Sequence, residues 1–234
     1  MPDKNPSAIS GFYDGIFHYY DAANSFLTLG LDGRWRRAAA RLALASGPER
    51  ILDVCCGTGG LSGELHRLSG GSAVVTGLDF NEAMLAVARV KNPGIPFIRG
   101  EAGALPFPDG AFDALTVAFA ARNLNYGGKG LLKYFREFHR VLGPGGTFVN
   151  IETSQPGSHF IRSLFHAFVR LMTAVLVRFL PTEHRAAYGF LAGTIAVFHS
   201  PEELSKILLA AGFSKVETAR RMFGAIAIHR AIKQ

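Results

Sequence analysis

The chain has 234 residues, 48% of them hydrophobic, enough for one domain with a substantial core. Lys and Arg number 25 against 18 Asp and Glu, a formal charge of +7 that suits an anionic surface or ligand without choosing between them. The only cysteines, Cys55 and Cys56, are adjacent, which excludes a disulfide framework and fits a reducing compartment; residues 1–15 lack the apolar core of a signal peptide.

Residues 1–48 read as a helical cap, with helices over 16–24 and 34–45 parted by a glycine-containing turn at 30–33. From Arg50 strands and helices alternate. A buried strand over 51–55 leads through a glycine turn to a helix over 61–68, and a strand over 73–78 ends at Asp79. A helix over 82–90 follows, with Asn81 placed as its N-cap. A short strand over 95–99 and an apolar strand over 112–119 precede a helix over 129–142, stopped by Gly143-Pro144-Gly145-Gly146. A fifth strand is expected over 147–152, then a helix over 201–211 and an antiparallel hairpin of strands 215–221 and 223–232. This alternation predicts a mostly parallel sheet with helices on both faces, an open α/β fold in a single domain over residues 1–234.

Residues 157–198 interrupt the scheme with apolar, helical sequence. Within 160–180, Arg162, His166, Arg170 and Arg178 are too many for a bilayer-spanning helix, so a soluble cytoplasmic protein is expected. At about 100° per residue they share a face with Thr173, while Ile161, Leu164, Phe165, Phe168, Leu171, Met172 and Phe179 fall opposite. Such a basic amphipathic helix is either a lid packed over the core or a peripheral contact with an anionic membrane.

The stretch R-I-L-D-V-C-C-G-T-G-G closes the first strand with a turn made for a ligand. Gly57 and Gly59 let the backbone approach, and the next helix N-terminus favours negative charge. A dinucleotide fingerprint would place a third glycine where Ser62 stands. Asp53 precedes the turn, Asp79 ends the second strand where a carboxylate can take ribose hydroxyls, and Glu101-Ala102 follows the third strand at an adenine edge. An acid before the turn and no pyrophosphate fingerprint suit S-adenosyl-L-methionine better than NAD; an NAD site with an atypical turn is the alternative. The two cysteines read as small buried residues on opposite faces of a strand, not as nucleophiles.

At this point the chain resembles the ubiquinone/menaquinone biosynthesis C-methyltransferases, within the class I S-adenosylmethionine-dependent methyltransferases. The resemblance rests on Y-D-A-A-N-S-F-L-T-L-G-L-D-G-R-W-R (20–36), I-L-D-V-C-C-G-T-G-G, G-L-D-F-N-E-A-M-L, E-A-G-A-L-P-F-P-D-G-A-F-D, A-F-A-A-R-N, R-V-L-G-P-G-G-T-F and Y-G-F-L-A-G-T-I. It implies a Rossmann-like, seven-stranded sheet with an antiparallel C-terminal strand. It also implies S-adenosyl-L-methionine as cofactor and S-adenosylhomocysteine as product, and it places Asp53, Gly57, Thr58, Gly59, Asp79, Phe80, Met84, Glu101, Ala102 and Ala118 around the cofactor. The chain departs from the family at Gly60, where an acid is usual, at Ala118, where a Ser is common, and at Thr153, where an aromatic is usual.

Methylating a ring carbon is eased when an ortho hydroxyl loses its proton, so the site needs a proton acceptor and a group that stabilises a phenolate. The resemblance groups Arg122, Asn123, Tyr20 and Asp21 for these tasks: Arg122 to hold the phenolate, Asn123 to orient the ring, Tyr20 and Asp21 to receive the proton through water. A salt bridge for Arg122 and helix anchoring for Tyr20 and Asp21 are the alternatives. No metal site is expected, because the eight histidines are scattered. The expected acceptor is a lipophilic demethylated quinol, with another small phenolic, polyketide or lipid acceptor as the alternative. A nucleic-acid substrate is not expected, since A-F-A-A-R-N replaces the N/D-P-P-Y/F element of amino-methylating enzymes and no stacking aromatics stand there for a flipped base.

Overall fold

The computed structural model describes residues 20–125, 130–179 and 193–234. Helix α1 covers Tyr20–Leu27 and α2 covers Asp32–Leu44. Strand β1 (Arg50–Val54) leads to α3 (Gly60–Ser69), β2 (Val74–Asp79) to α4 (Glu82–Lys91), and β3 (Phe97–Arg99) precedes β4 (Phe112–Ala118). The short α5 (Ala121–Leu124) and α6 (Leu131–Val141) lead to β5 (Leu142–Thr153). Helix α7 (His159–Leu176), α8 (Pro201–Ala210), β6 (Lys215–Arg221) and β7 (Ile226–Ile232) complete the chain.

The seven strands form one sheet in the order β3-β2-β1-β4-β5-β7-β6. Pairings among β1 to β5 are parallel, and β7 runs antiparallel to both β5 and β6. Strand order reverses between β1 and β4, and in such sheets the crevice beyond the carboxyl ends at that point takes ligands.

Two apolar layers clamp the sheet. On one face Phe135 and Phe138 of α6 meet Phe148 of β5 with ring centroids 5.6 and 5.5 Å apart. On the other face Ala39, Ala40 and Ala43 of α2 are fully buried beside Ile51, and their small side chains let the helix lie close to the sheet. Cys55 packs with the first layer and Cys56 with the second, so the two do face opposite sides, although β1 ends one residue earlier, at Val54.

Several boundaries differ from the expectation. The turn before α2 lies earlier, and Gly33 is inside the helix, whose start gains from Asp32 in its first turn and the Asp32–Arg36 pair one turn apart. The Gly143-Pro144-Gly145-Gly146 segment stops α6 and then continues into β5. Its residues fill an irregularity between the pairs Phe112–Leu142 and Ala114–Thr147, a feature of strand pairing with no local signal. Asn81 caps α4 as expected, its side chain accepting from the Met84 N–H at 2.9 Å. The hairpin link is longer than expected, because Met222–Gly224 forms a single 3₁₀ turn before β7. The helix expected over 16–24 begins outside the described residues, and residues 180–192 of the segment over 157–198 also lie outside them.

Helix α7 turns differently from the simple two-face reading. Thr173, grouped with the arginines by periodicity, is buried, while Leu164 and Leu171 stand exposed. The cause is what lies beneath. The helix covers a cavity instead of a filled core, so Leu164 at the cavity rim remains in contact with solvent, while Leu171 is exposed outside the cavity lining.

Candidate active site

The glycine turn sits at the strand-order reversal and is locked from below. Asp79 closes β2, and its carboxylate accepts the Gly57 N–H at 2.9 Å and the Asn81 N–H at 3.0 Å. Burial pushes its carboxyl above the ordinary range, while those amides, with that of Phe80, pull the other way. Gly57 has φ 54° and a Cβ there would meet only open space, so the position is kept for a backbone that a ligand can approach. Gly59, at φ 77°, answers a different need: a Cβ there would lie 2.7 Å from the Asn92 side chain. Cys55 and Phe119 hold positive φ just past β1 and β4, at the same edge, where backbone strain gathers at functional sites. Burial and the charges of Asp53 and Asp79 push both thiols well above their usual range, which leaves them protonated and poor nucleophiles.

Asp53 is buried in β1. Its Oδ1 accepts from Thr116 Oγ1 at 2.7 Å and its Oδ2 from Ser62 Oγ at 2.6 Å. Ser62, the residue in place of a third glycine, therefore serves the carboxylate. Burial pushes the Asp53 carboxyl up to about 6, against the pull of Ser62, Thr116 and Arg36. A carboxyl raised on folding contributes stability that is full below the ordinary carboxylate range and lost as pH rises through about 6. Two pH units at about 1.4 kcal/mol each make the ionised group cost about 3 kcal/mol near neutrality. Asp53→Asn is expected to raise the unfolding free energy by about 2–3 kcal/mol at pH 8, with the gain fading toward pH 4. Urea titrations at the two pH values check it.

Helix α1 is latched onto the turn. Asp21 accepts from Thr58 Oγ1 at 2.7 Å and pairs with Lys91. Asp21 thus stands beside the glycine turn and is not among the residues lining the cavity described next; Tyr20 opens α1, and its side chain lies outside the described residues. Phe80 follows β2 and is half-buried, Met84 is buried on α4, Ala118 ends β4, and Glu101 and Ala102 follow β3, with Glu101 bridging to Ala104.

A cavity of about 470 Å³ opens beside this edge, under α7 and against α1 and α2. Its walls are mainly apolar, with Leu27, Trp35, Phe119, Phe165, Phe168 and Met172 among them. Asp32, Arg36 and Arg122 are its charged lining residues. Arg122 donates from Nη1 to Glu152 Oε1 at 2.6 Å, and its backbone N–H reaches Glu152 Oε2 at 3.2 Å. Both side chains are nearly out of solvent. Asn123 lies one residue on in α5, where its N–H donates to the Ala120 carbonyl, and it does not line the cavity.

Arg36 lies 5.7 Å over the Phe119 ring and pairs with Asp32, whose other oxygen accepts from Thr28 Oγ1 at 3.2 Å. A Cβ at Gly60 would lie 3.4 Å from Arg36 Nε, so the missing acid at this position leaves Arg36 room to lie across the start of α3. Ser62, Thr116 and Glu152 were missed in the sequence because their roles depend on strand neighbours. Asp32 was missed because periodicity placed it in a turn.

The sheet order, the open glycine turn at the reversal point and the acid closing β2 define a class I methyltransferase. Residues 1–233 match the ubiE/COQ5 methyltransferase family, and the chain belongs to it. A demethylmenaquinone methyltransferase of Thermus thermophilus is 40% identical over 214 residues, 90% of this chain and 94% of that one. Another, of Clavibacter sepedonicus, is 36% identical over 98% of this chain and 92% of its own length. A solved SAM-dependent methyltransferase from Thermotoga maritima shares the fold, with a TM-score of 0.60 at 16% identity over 95% of this chain and 100% of that one. The protein is therefore a methyltransferase, and its family and fold imply S-adenosyl-L-methionine as cofactor. The residues present fit that group: an open glycine turn, a buried acid behind it and a second acid beside it.

Proposed function

We propose that the enzyme methylates a ring carbon of a demethylated, prenylated quinol in quinone biosynthesis, leaving S-adenosylhomocysteine. The cavity carries this reading: its apolar walls suit a lipophilic ring and the start of its tail, and its few charges stand beside the cofactor edge. The names of the curated relatives support the same acceptor class. Asp53, Gly57, Thr58, Gly59, Asp79, Phe80 and Met84 hold the methionine and ribose parts, and Glu101, Ala102 and Ala118 border the rest. The bound cofactor supplies an electrophilic methyl group on a sulfonium.

The chain's own groups prepare the acceptor. Arg122, steadied by Glu152, stabilises the phenolate, while Asn123 lies outside the cavity lining and has no direct part in holding the ring. With Asp21 engaged at the glycine turn, Asp32 takes the hydroxyl proton, directly or through water, as its carboxylate is the one that lines the cavity among the described residues. The methyl supplied would go to the ring carbon, with the sulfur–methyl bond breaking toward sulfur; Asp32 returns the hydroxyl proton to the phenolate oxygen, and the ring proton passes to water as aromaticity is restored. Helices α1 and α2, from the cap expected over 1–48, and α7, from the lid expected over 157–198, border the cavity and exclude water. Among the described residues no helix is long and apolar enough to cross a membrane.

The purified enzyme, given methyl-labelled cofactor and demethylmenaquinol, should place label on a ring carbon, and membranes lacking the gene should accumulate a quinone lighter by one CH₂. Label on oxygen, or none on any quinol alongside transfer to a soluble phenol, would replace this acceptor.

A further inference from the structure

The rim of the acceptor cavity carries a group of exposed large apolar side chains. Leu29 (64% exposed), Leu164 (62%), Met222 (49%) and Phe223 (84%) line the cavity and yet face solvent. They come from three places far apart in the chain: the turn after α1, helix α7 and the β6–β7 turn. Phe160 and Leu171 extend the apolar surface along α7. Soluble proteins seldom expose contiguous apolar area of this kind without a partner for it. Leu29, Met222 and Phe223 also hold positive φ, at 52°, 50° and 55°, a conformation that bulky side chains rarely take. The backbone is bent to present these side chains outward, not to bury them.

The surroundings are cationic. No acid occurs between Glu152 and Glu183, a stretch that contains Arg162, Arg170 and Arg178. Arg221 directly precedes the Met222–Phe223 tip. Arg170, Arg178 and Arg221 are exposed, and none of the ion pairs among the described residues uses them. An apolar rim fringed by unneutralised arginines complements a lipid bilayer with anionic head groups.

We propose that the cavity mouth is a membrane-docking face. Leu29, Leu164, Met222 and Phe223 enter the apolar edge of an anionic leaflet, and Arg170, Arg178 and Arg221 lie at the phosphates. The mouth then opens into the bilayer, and the acceptor's prenyl tail stays in lipid while the ring reaches the cofactor edge. This deepens the quinol reading and rests on it for the tail, but not for the docking itself.

The test uses the full chain with vesicles of phosphatidylcholine alone or mixed with phosphatidylglycerol. Co-sedimentation with the anionic vesicles at low salt, weakening as salt rises, is expected. Removing one arginine should cost about fivefold in binding, and Arg170→Glu/Arg221→Glu more than twenty-five-fold. Phe223→Ser should also lose binding, with an unchanged thermal midpoint. The charge-reversed pair should still methylate a tail-less, water-soluble quinol at the wild-type rate. No vesicle binding at low salt, or binding that survives both variants, would overturn the proposal. A dimer dispersed by Phe223→Ser, without vesicle binding, would overturn it too and assign the face to a second copy. Failure of the quinol reading would show separately, as absent methylation of the tail-less quinol by the wild type.

Discussion

Arg122→Ala is expected to lower kcat by about 10²–10³-fold while cofactor affinity stays near wild type. The proposed mechanism needs a fixed cation where the phenolate charge develops, and Arg122 is built for that. Arg122 lines the cavity from α5, and its guanidinium is held by Glu152, which also accepts the Thr153 N–H at 2.7 Å and Thr153 Oγ1 at 2.9 Å. That carboxylate thus orients the arginine and anchors the end of β5. A purely structural salt bridge would behave differently. Breaking a buried pair costs about 3–5 kcal/mol of stability, so a melting shift alone does not separate the two roles. Assays well below the melting midpoint do. Loss of turnover in folded, cofactor-binding enzyme assigns the cation to the reaction, and near-normal turnover there removes it. Arg122→Lys should recover only part of the rate, because a compact ammonium lacks the planar, delocalised guanidinium that Glu152 holds through Nη1.

Much of this architecture was legible because an open α/β sheet repeats one local instruction. Apolar runs, a glycine turn and an amphipathic helix recur, so the strand end at Asp79 and the cap at Asn81 lie where local rules put them, and β1 ends one residue short of its expected end. The cofactor turn is legible for the same reason, since its ligand is met by backbone. The acceptor side is different. Arg122 and Glu152 meet because β4 and β5 are neighbours, and Asp53 meets Thr116 across the β1–β4 pair. No spacing in the chain encodes those contacts. Helix α7 shows the limit most clearly. Its periodicity gives two faces but puts Thr173 on the wrong one, and periodicity cannot say whether the apolar side meets a filled core or a cavity. That difference decides whether Leu164 is buried or stands at a rim.

Asp32 carries the largest consequence of that unread geometry. Asp32→Asn is expected to slow methylation of an ordinary quinol by at least about 10²-fold, the usual contribution of a positioned general base. The carboxylate has the position the task requires. It lines the cavity, Thr28 holds one oxygen, Arg36 holds the other, and Arg36 is itself steadied over Phe119. A base oriented by further groups keeps its geometry when water is expelled. The asparagine can still accept from Thr28 or Arg36, so the fold should persist. The decisive comparison is between acceptors. An electron-poor phenol that is already ionised at the assay pH needs no base, and the variant should methylate it within a few-fold of wild type. Equal losses on both acceptors would mean that Asp32 only shapes the pocket, and no loss on either would return the proton to another group. Asp32→Glu separates charge from shape: it keeps the base but moves it by one methylene, so partial activity on the ordinary quinol is expected there and not in the asparagine variant.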